Sequence, residues 1–266
     1  MFNEPLFGAA AFAAQIYPAI FTYDLLRYAI GAGGVFVIVN VLLARRLAAR
    51  KIRVESGSWA QIIREIAASV RTVAIFSLVG LFIATGAEFG LFDIYFDPAE
   101  RGWAYFTANV LFLIIAHDAW FYWTHRLMHR FRPMRRYHML HHRSFNPTPW
   151  TSYSFDAADA LVNALYFPIA MFLMPSSVLA AFIFTWHMMI RNAVGHCGYE
   201  IFPARRDGRP MFDFLTAVTH HDLHHGGAGW NFGLYFTFWD RLMGTEHPHY
   251  LEEFKRTVLR QKQLTA

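Results

Sequence analysis

The sequence predicts an all-α, polytopic membrane protein with about four transmembrane helical elements and a histidine-rich cytoplasmic cap. Three observations predict it. Of 266 residues, 55% are hydrophobic and only 16% are charged, a balance foreign to a soluble globular domain. Long uncharged runs recur, each of a length that can enter or cross a hydrocarbon layer. Arginine clusters alternate with acidic ones at the ends of these runs, which is how the orientation of spans is encoded. The net charge of +5 therefore reads as topology and not as nucleic-acid binding, because the arginines lie between apolar runs rather than along one polar face. A single cysteine, Cys197, excludes an internal disulfide framework. Glu4 and Pro5 stand where the basic region of a signal peptide would be.

The chain reads as one integral-membrane domain, 1–266. Residues 1–27 are expected to form an interfacial or re-entrant segment: 5–23 carry no charge, but Pro5, Gln15 and Pro18 interrupt them. Three transmembrane spans are predicted within 28–123. The first, 28–44, runs into Arg45, Arg46, Arg50, Lys51 and Arg53, which places that end in the cytoplasm. The second, Thr72 to Phe92, is entered through Arg64 and Arg71 and left through Glu88, Asp93, Asp97 and Glu100 on the outer side. The third, Trp103 to Trp123, returns to a basic flank of Arg126, Arg130, Arg132, Arg135, Arg136 and Arg143. Residues 124–159 form a first cytoplasmic histidine region. Residues 160–190, apolar and broken by Pro168 and Pro175, form a helical hairpin, and 191–266 form a second cytoplasmic histidine region.

Histidine spacing carries the chemistry. On a helix His125 and His129 share a face, as do His138, His141 and His142 at i, i+3 and i+4, a pattern repeated at His221, His224 and His225. With fourteen histidines in the chain, one His-x-x-His-His string is expected about 0.04 times by chance, so two copies are no coincidence. Neutral imidazoles so placed converge above the helix and chelate a first-row metal. Eight imidazoles, with His196 as a ninth, exceed what one zinc ion accepts and predict two metals with about four imidazoles each. Asp118, seven residues before His125 and so within about 20° of it on an ideal helix, and Asp222, inside the last cluster, are candidates for orienting the rings. The alternative for both is a buried carboxylate paired with an arginine. His117, His187, His247 and His249, taken singly, read as hydrogen-bonded polar residues.

These motifs resemble the sterol desaturase and fatty acid hydroxylase superfamily of integral-membrane di-iron enzymes. His125-Arg-Leu-Met-His129 is similar to its HxxxH box, His138-Met-Leu-His141-His142 and His221-Asp-Leu-His224-His225 to its HxxHH boxes, and His196 to its isolated histidine. The segment Asn231-Phe232-Gly233 to Asp240-Arg241, followed by Gly244-Thr245, resembles its closing segment. Pro147-Thr148-Pro149-Trp150 and Phe155-Asp156, after the second box, look most like the sterol C5-desaturase (lathosterol oxidase) branch. Some lipid hydroxylases of the superfamily carry a further histidine four residues before the isolated one. Asn192 stands there in this chain and is expected to act as a weak ligand through its carbonyl or a bound water.

The resemblance implies two iron ions, O2 as co-substrate, and hydroxylation or desaturation of a sterol or fatty-acyl lipid drawn from the bilayer. It further implies an external electron donor, cytochrome b5-like, ferredoxin or flavoprotein, since the chain has no Gly-x-Gly-x-x-Gly string for a dinucleotide. Bacterial inner membrane or endoplasmic reticulum is the expected location. A membrane metal protein without oxygenase chemistry, either a haem anchor subunit or a metal transporter, is the competing class. It requires histidine pairs deep in facing spans.

Overall fold

A computed structural model describes residues 4–264. Helix α1 (Glu4–Val35) continues through a π-helical turn (Phe36–Leu42). It is followed by α2 (Trp59–Glu88), α3 (Trp103–Arg130), α4 (Arg132–His142), α5 (Ala157–Ala164), α6 (Tyr166–Leu173) and α7 (Val178–Gly195). Three further helices, α8 (Val218–Gly226), α9 (Phe238–Leu242) and α10 (Tyr250–Leu264), lie in the C-terminal region. Residues 10–42, 59–88, 103–130 and 178–195 are long and apolar enough to cross a membrane, and α5 with α6 forms a shorter apolar pair. Large apolar side chains on the outside of these helices, among them Ile30, Leu78, Phe82, Leu111 and Ile115, are exposed, as a lipid-facing surface requires.

The first helix departs from expectation. The interfacial segment 1–27 and the span 28–44 are one continuous helix over the described residues, with residues 1–3 lying outside them. Pro18 deletes a single backbone hydrogen bond, and a helix packed against neighbours in an apolar medium tolerates that loss. The expected hairpin 160–190 is built from α5, α6 and α7, with its turn at Met174–Ser177. Pro168 sits in the first turn of α6, where a helix lacks an N–H partner anyway.

The spans set the position of everything else. Helix α3 has 28 residues, about 42 Å at 1.5 Å per residue, against a hydrocarbon core of ~30 Å. Its last turns carry His125 and His129, and the excess length is enough for them to project beyond the apolar layer. Phe131 (φ −90°, ψ 109°) breaks the helix, and Pro133 starts α4 in a new direction. At the opposite end a short parallel pairing of β1 (Ile94–Tyr95) with β2 (Ser176–Ser177) ties the α2–α3 loop to the α6–α7 turn. Near the histidine-bearing end, Tyr28, Ala32, Val73, Tyr153 and Met189 form a buried core between α1, α2 and α7. Gly31 permits the approach of α1 to α7, because a Cβ there would lie 2.5 Å from Met189 Cγ. We expect Gly31→Val to destabilise the chain by about 1–3 kcal/mol through overpacking, read as a lowered midpoint of thermal unfolding in detergent.

Candidate metal centre

Four segments deliver nine histidines to the same end of the bundle, all of them buried. His125, His129, His138, His142 and His224 place one ring nitrogen each within 4.8 Å of the others, and His141, His196, His221 and His225 do the same in a second group. Each His-x-x-His-His string is divided between the two groups. From α4, His138 and His142 enter the first and His141 the second; from α8, His221 and His225 enter the second and His224 the first. Helix α3 completes one group with its i, i+4 pair, and His196, just beyond α7, completes the other. The expected division of about four each is thus five and four.

Hydrogen bonds fix the tautomers. The Nδ1–H of His125 donates to the Phe232 carbonyl (2.9 Å), that of His224 to the Trp230 carbonyl (2.7 Å) and that of His196 to the Asn192 carbonyl (2.7 Å). His138 donates from Nδ1 to Asp159 Oδ2 at 2.8 Å. Carbonyl and carboxylate oxygens only accept, so Nε2 of each of these four neutral rings is a bare lone pair. Yet His125 Nε2 stands 3.0 Å from His138 Nε2. His224 Nε2 is 3.1 Å from His129 Nε2 and 3.0 Å from His142 Nε2, while His196 Nε2 is 2.9 Å from His221 Nε2. Between His125 and His138 both facing nitrogens are bare, and lone pairs at that distance repel unless a cation lies between them; the other contacts set a further ring nitrogen against the bare lone pair of His224 or His196. Both ring nitrogens of His225 and Nδ1 of His141 are buried without a hydrogen-bond partner, a costly arrangement for polar groups with no ligand to serve. The residues present therefore fit two metal ions.

Burial also keeps the rings unprotonated. It pushes His141, His142, His221 and His225 well below the usual imidazole range, with neighbouring histidines adding to the effect. Burial lowers His196 to about 4 and His224 to about 3. At neutral pH these six rings are neutral donors, the form that binds metal.

The carboxylates distribute differently from the sequence reading. Asp118 does not reach His125. Its Oδ1 accepts from the backbone N–H of Tyr235 (2.8 Å) and Phe236 (3.2 Å), because the 231–236 loop packs against that face of α3 and the Phe232 carbonyl takes the ring. Asp222 follows the alternative reading: Arg53 Nε donates to both of its carboxylate oxygens at 2.8 and 3.0 Å. Asn192 commits its side-chain amide to the Ser152 carbonyl (2.8 Å) and its own carbonyl to His196. It thereby positions the ring by its backbone, where a weak ligand was expected. His117 lies outside both groups and pairs with the Tyr235 hydroxyl at 2.9 Å.

Two supporting residues escaped sequence reasoning. Asp159, on α5, orients His138 and is itself held by Asn163 Nδ2 at 2.8 Å; its signal was an acidic residue opening an apolar stretch. Asp240 accepts from the backbone N–H of Phe232 and Gly233 (2.9 and 2.8 Å) and from Thr245 Oγ1 (2.8 Å). It thus holds the carbonyl that orients His125. Burial raises Asp240 to about 6. Asn231 takes a left-handed backbone (φ 58°) and ties His220 O to His247 N through its side-chain amide, which explains the closing Asn-Phe-Gly segment physically.

A helical chain with four candidate spans and two adjoining clusters of buried imidazoles defines a membrane protein of the histidine-box class. The fatty acid hydroxylase family model matches residues 110–245, half of the chain, and the protein belongs to that family. A Delta(7)-sterol 5(6)-desaturase of Gibberella zeae is 29% identical over 190 residues, covering 70% of this chain and 56% of its own. The lathosterol oxidase of Mus musculus is 29% identical over 202 residues, covering 72% and 64%. Methylsterol monooxygenase 1 of Rattus norvegicus is 29% identical over 168 residues, covering 62% and 56%. The chain thus spans less than two thirds of the length of these relatives. No solved structure matches it.

Two outcomes are expected. Asp159→Asn should weaken metal binding by about 10–100-fold while leaving the fold intact, as read from metal content after titration with a chelator. In metal-free protein, His196 and His224 titrate below their unfolded value of 6.5. The unfolded chain therefore binds more protons as pH falls below 6.5, and stability should drop between pH 6.5 and about 3. Thermal unfolding of the chelated protein across that range checks the sign.

Proposed function

We propose that the protein oxidises a C–H bond of a bilayer lipid, a sterol or fatty-acyl chain, by hydroxylation or desaturation with O2 at a di-iron centre. One observation carries the reading: two phenylalanine rings in the wall of one apolar cavity pack against the two histidine clusters, one against each. The cavity, of about 400 Å3, is lined by α1, α2, α3, α5, α6 and α7. Its walls include Phe121 and Phe155, whose rings lie 4.9 Å from that of His125 and 5.2 Å from that of His141. One wall thus touches a ring of each cluster. A cavity of this size, apolar with few polar groups, suits a lipid ligand.

His125, His129, His138, His142 and His224 would hold one iron, and His141, His196, His221 and His225 the other. When bound, the irons supply the O2 activation and electron transfer that no side chain performs. The chain's own contribution is binding, orientation and exclusion of water. Phe121, Tyr166, Phe167 and Phe184 seat the hydrocarbon. Phe232 packs against His125, His129 and His224 and shields that cluster. Arg130, Arg132, Arg135, Arg136 and Arg143 are exposed on and beside α4, over the first cluster. They suit docking of an acidic electron donor, cytochrome b5-like, ferredoxin or flavoprotein, and by the positive-inside rule this face is cytoplasmic. Every histidine of the two clusters lies at one end of the bundle, which argues against a haem or transport site between facing spans.

The test is lipid analysis of cells expressing the chain beside cells expressing His141→Ala. An oxidised lipid should appear with the first and fall to background with the second while membrane insertion persists. Equal product from both would contradict the proposal.

A further inference from the structure

We propose that Asp24, Arg27 and Tyr153 form a recognition site for the hydroxyl group of a lipid alcohol, set in the wall of the apolar cavity apart from the histidine clusters; it rests on the reading of that cavity as the lipid site. On α1, Ile20, Tyr23, Asp24 and Arg27 recur at i, i+3, i+4 and i+7 and share a face. All four line the cavity. Two of them are charged, in a wall that is otherwise nearly all apolar.

Asp24 Oδ1 pairs with Arg27 Nη1 at 2.9 Å, and Asp24 Oδ2 accepts from Ser77 Oγ at 2.9 Å across the interface with α2. An ion pair inside a span is expensive. One retained for packing alone should have its hydrogen-bonding capacity filled. This one does not: Arg27 is 4% exposed and its Nε has no partner. The Tyr153 hydroxyl, in a side chain 1% exposed, lies beside the Arg27 guanidinium and likewise has no partner at good hydrogen-bond geometry. Two buried donors, both on residues that line the cavity, are thus left for a ligand.

The charges on the page select its chemistry. Asp24 and Arg27 sum to zero, so a carboxylate or phosphate would bring an uncompensated charge against Asp24 where the dielectric is low. A bare hydrocarbon would leave both donors unpaired. A hydroxyl oxygen accepts from Arg27 Nε–H and Tyr153 O–H, adds no charge, and directs its own proton to the Asp24 carboxylate. Seating the alcohol there also sets which carbon of the ligand reaches Phe121 and Phe155, beside His125 and His141. The Tyr153 ring itself is positioned by stacking on Tyr28 (5.7 Å) and edge contact with Phe76 (5.0 Å), contacts that do not involve the hydroxyl.

A sterol and a long-chain alcohol share this chemistry, and equilibrium binding separates them. Full-length protein in detergent is titrated with cholesterol and cholestane, and with 1-hexadecanol, hexadecane and hexadecanoic acid. At least one alcohol is expected to bind about 10-fold more tightly than its hydrocarbon counterpart and ahead of the acid, and the alcohol preferred identifies the source. Tyr153→Phe removes only the unpartnered oxygen, and Arg27→Lys removes Nε while keeping a charge for Asp24. Each should narrow the alcohol-to-hydrocarbon ratio about 3- to 10-fold without altering hydrocarbon affinity or metal content. No preference in the wild type, preference for the acid, or an unchanged ratio in both variants would overturn the site. Binding is read without turnover. A chain that prefers alcohols but oxidises no lipid would defeat the proposed reaction and leave this site standing, whereas oxidation without alcohol preference would do the reverse.

Discussion

Bare imidazole lone pairs brought face to face are the constraint on which this structure turns. His125 and His138 approach at 3.0 Å with both Nδ1 positions already donating, an arrangement that neutral rings sustain only around a cation. The rings are locked into it by acceptors that lie outside the histidine strings: the carbonyls of Phe232, Trp230 and Asn192 and the carboxylate of Asp159. Those acceptors must be rigid in turn. Asp118 and Asp240 hold the 231–236 loop by its backbone N–H groups, and Arg191 bridges the Thr216 and Tyr235 carbonyls. Much of the polar burial at this end of the bundle is the support of a few carbonyl oxygens.

The long spans contribute position rather than chemistry. Helices α1, α3 and α7 all run toward the histidine end, and α2 runs away from it. The end of α3 therefore passes into α4 across the single residue Phe131, and the end of α7 meets α8 after the connection formed by residues 196–217. Arg53 shows how closely topology and site are joined. It belongs to the basic flank from which the sequence predicts the orientation of the first span, yet its guanidinium also closes on Asp222 inside the last histidine string.

The nine histidines and the helical class were legible in the sequence because their spacing is local: i, i+3 and i+4 survive whatever the tertiary structure does. What was not legible depends on contacts far apart in the chain. The helical-wheel placement of Asp118 near His125 was sound as geometry, but its partners come from residues 235 and 236, which no local pattern announces. Asp159 lies 21 residues from His138 and meets it only because α4 and α5 fold together. Pro18 suggested an interrupted segment by its local effect on hydrogen bonding, and the packing of α1 against α2 and α7 outweighed it. Asn192 was weighed as a side chain while the structure uses its main-chain oxygen, a role that any residue type can fill.

The division of each His-x-x-His-His string between two clusters has a consequence for assembly. Helices α4 and α8 each supply ligands to both sites, so neither site can be built alone. An ion held by one cluster would anchor both helices and so preorganise the partner cluster, lowering the entropic cost of a second capture. The same sharing works in reverse: a displacement of α4 that loosens one site loosens the other. Ions bound at the two clusters would therefore be thermodynamically coupled through α4 and α8, which both sites share.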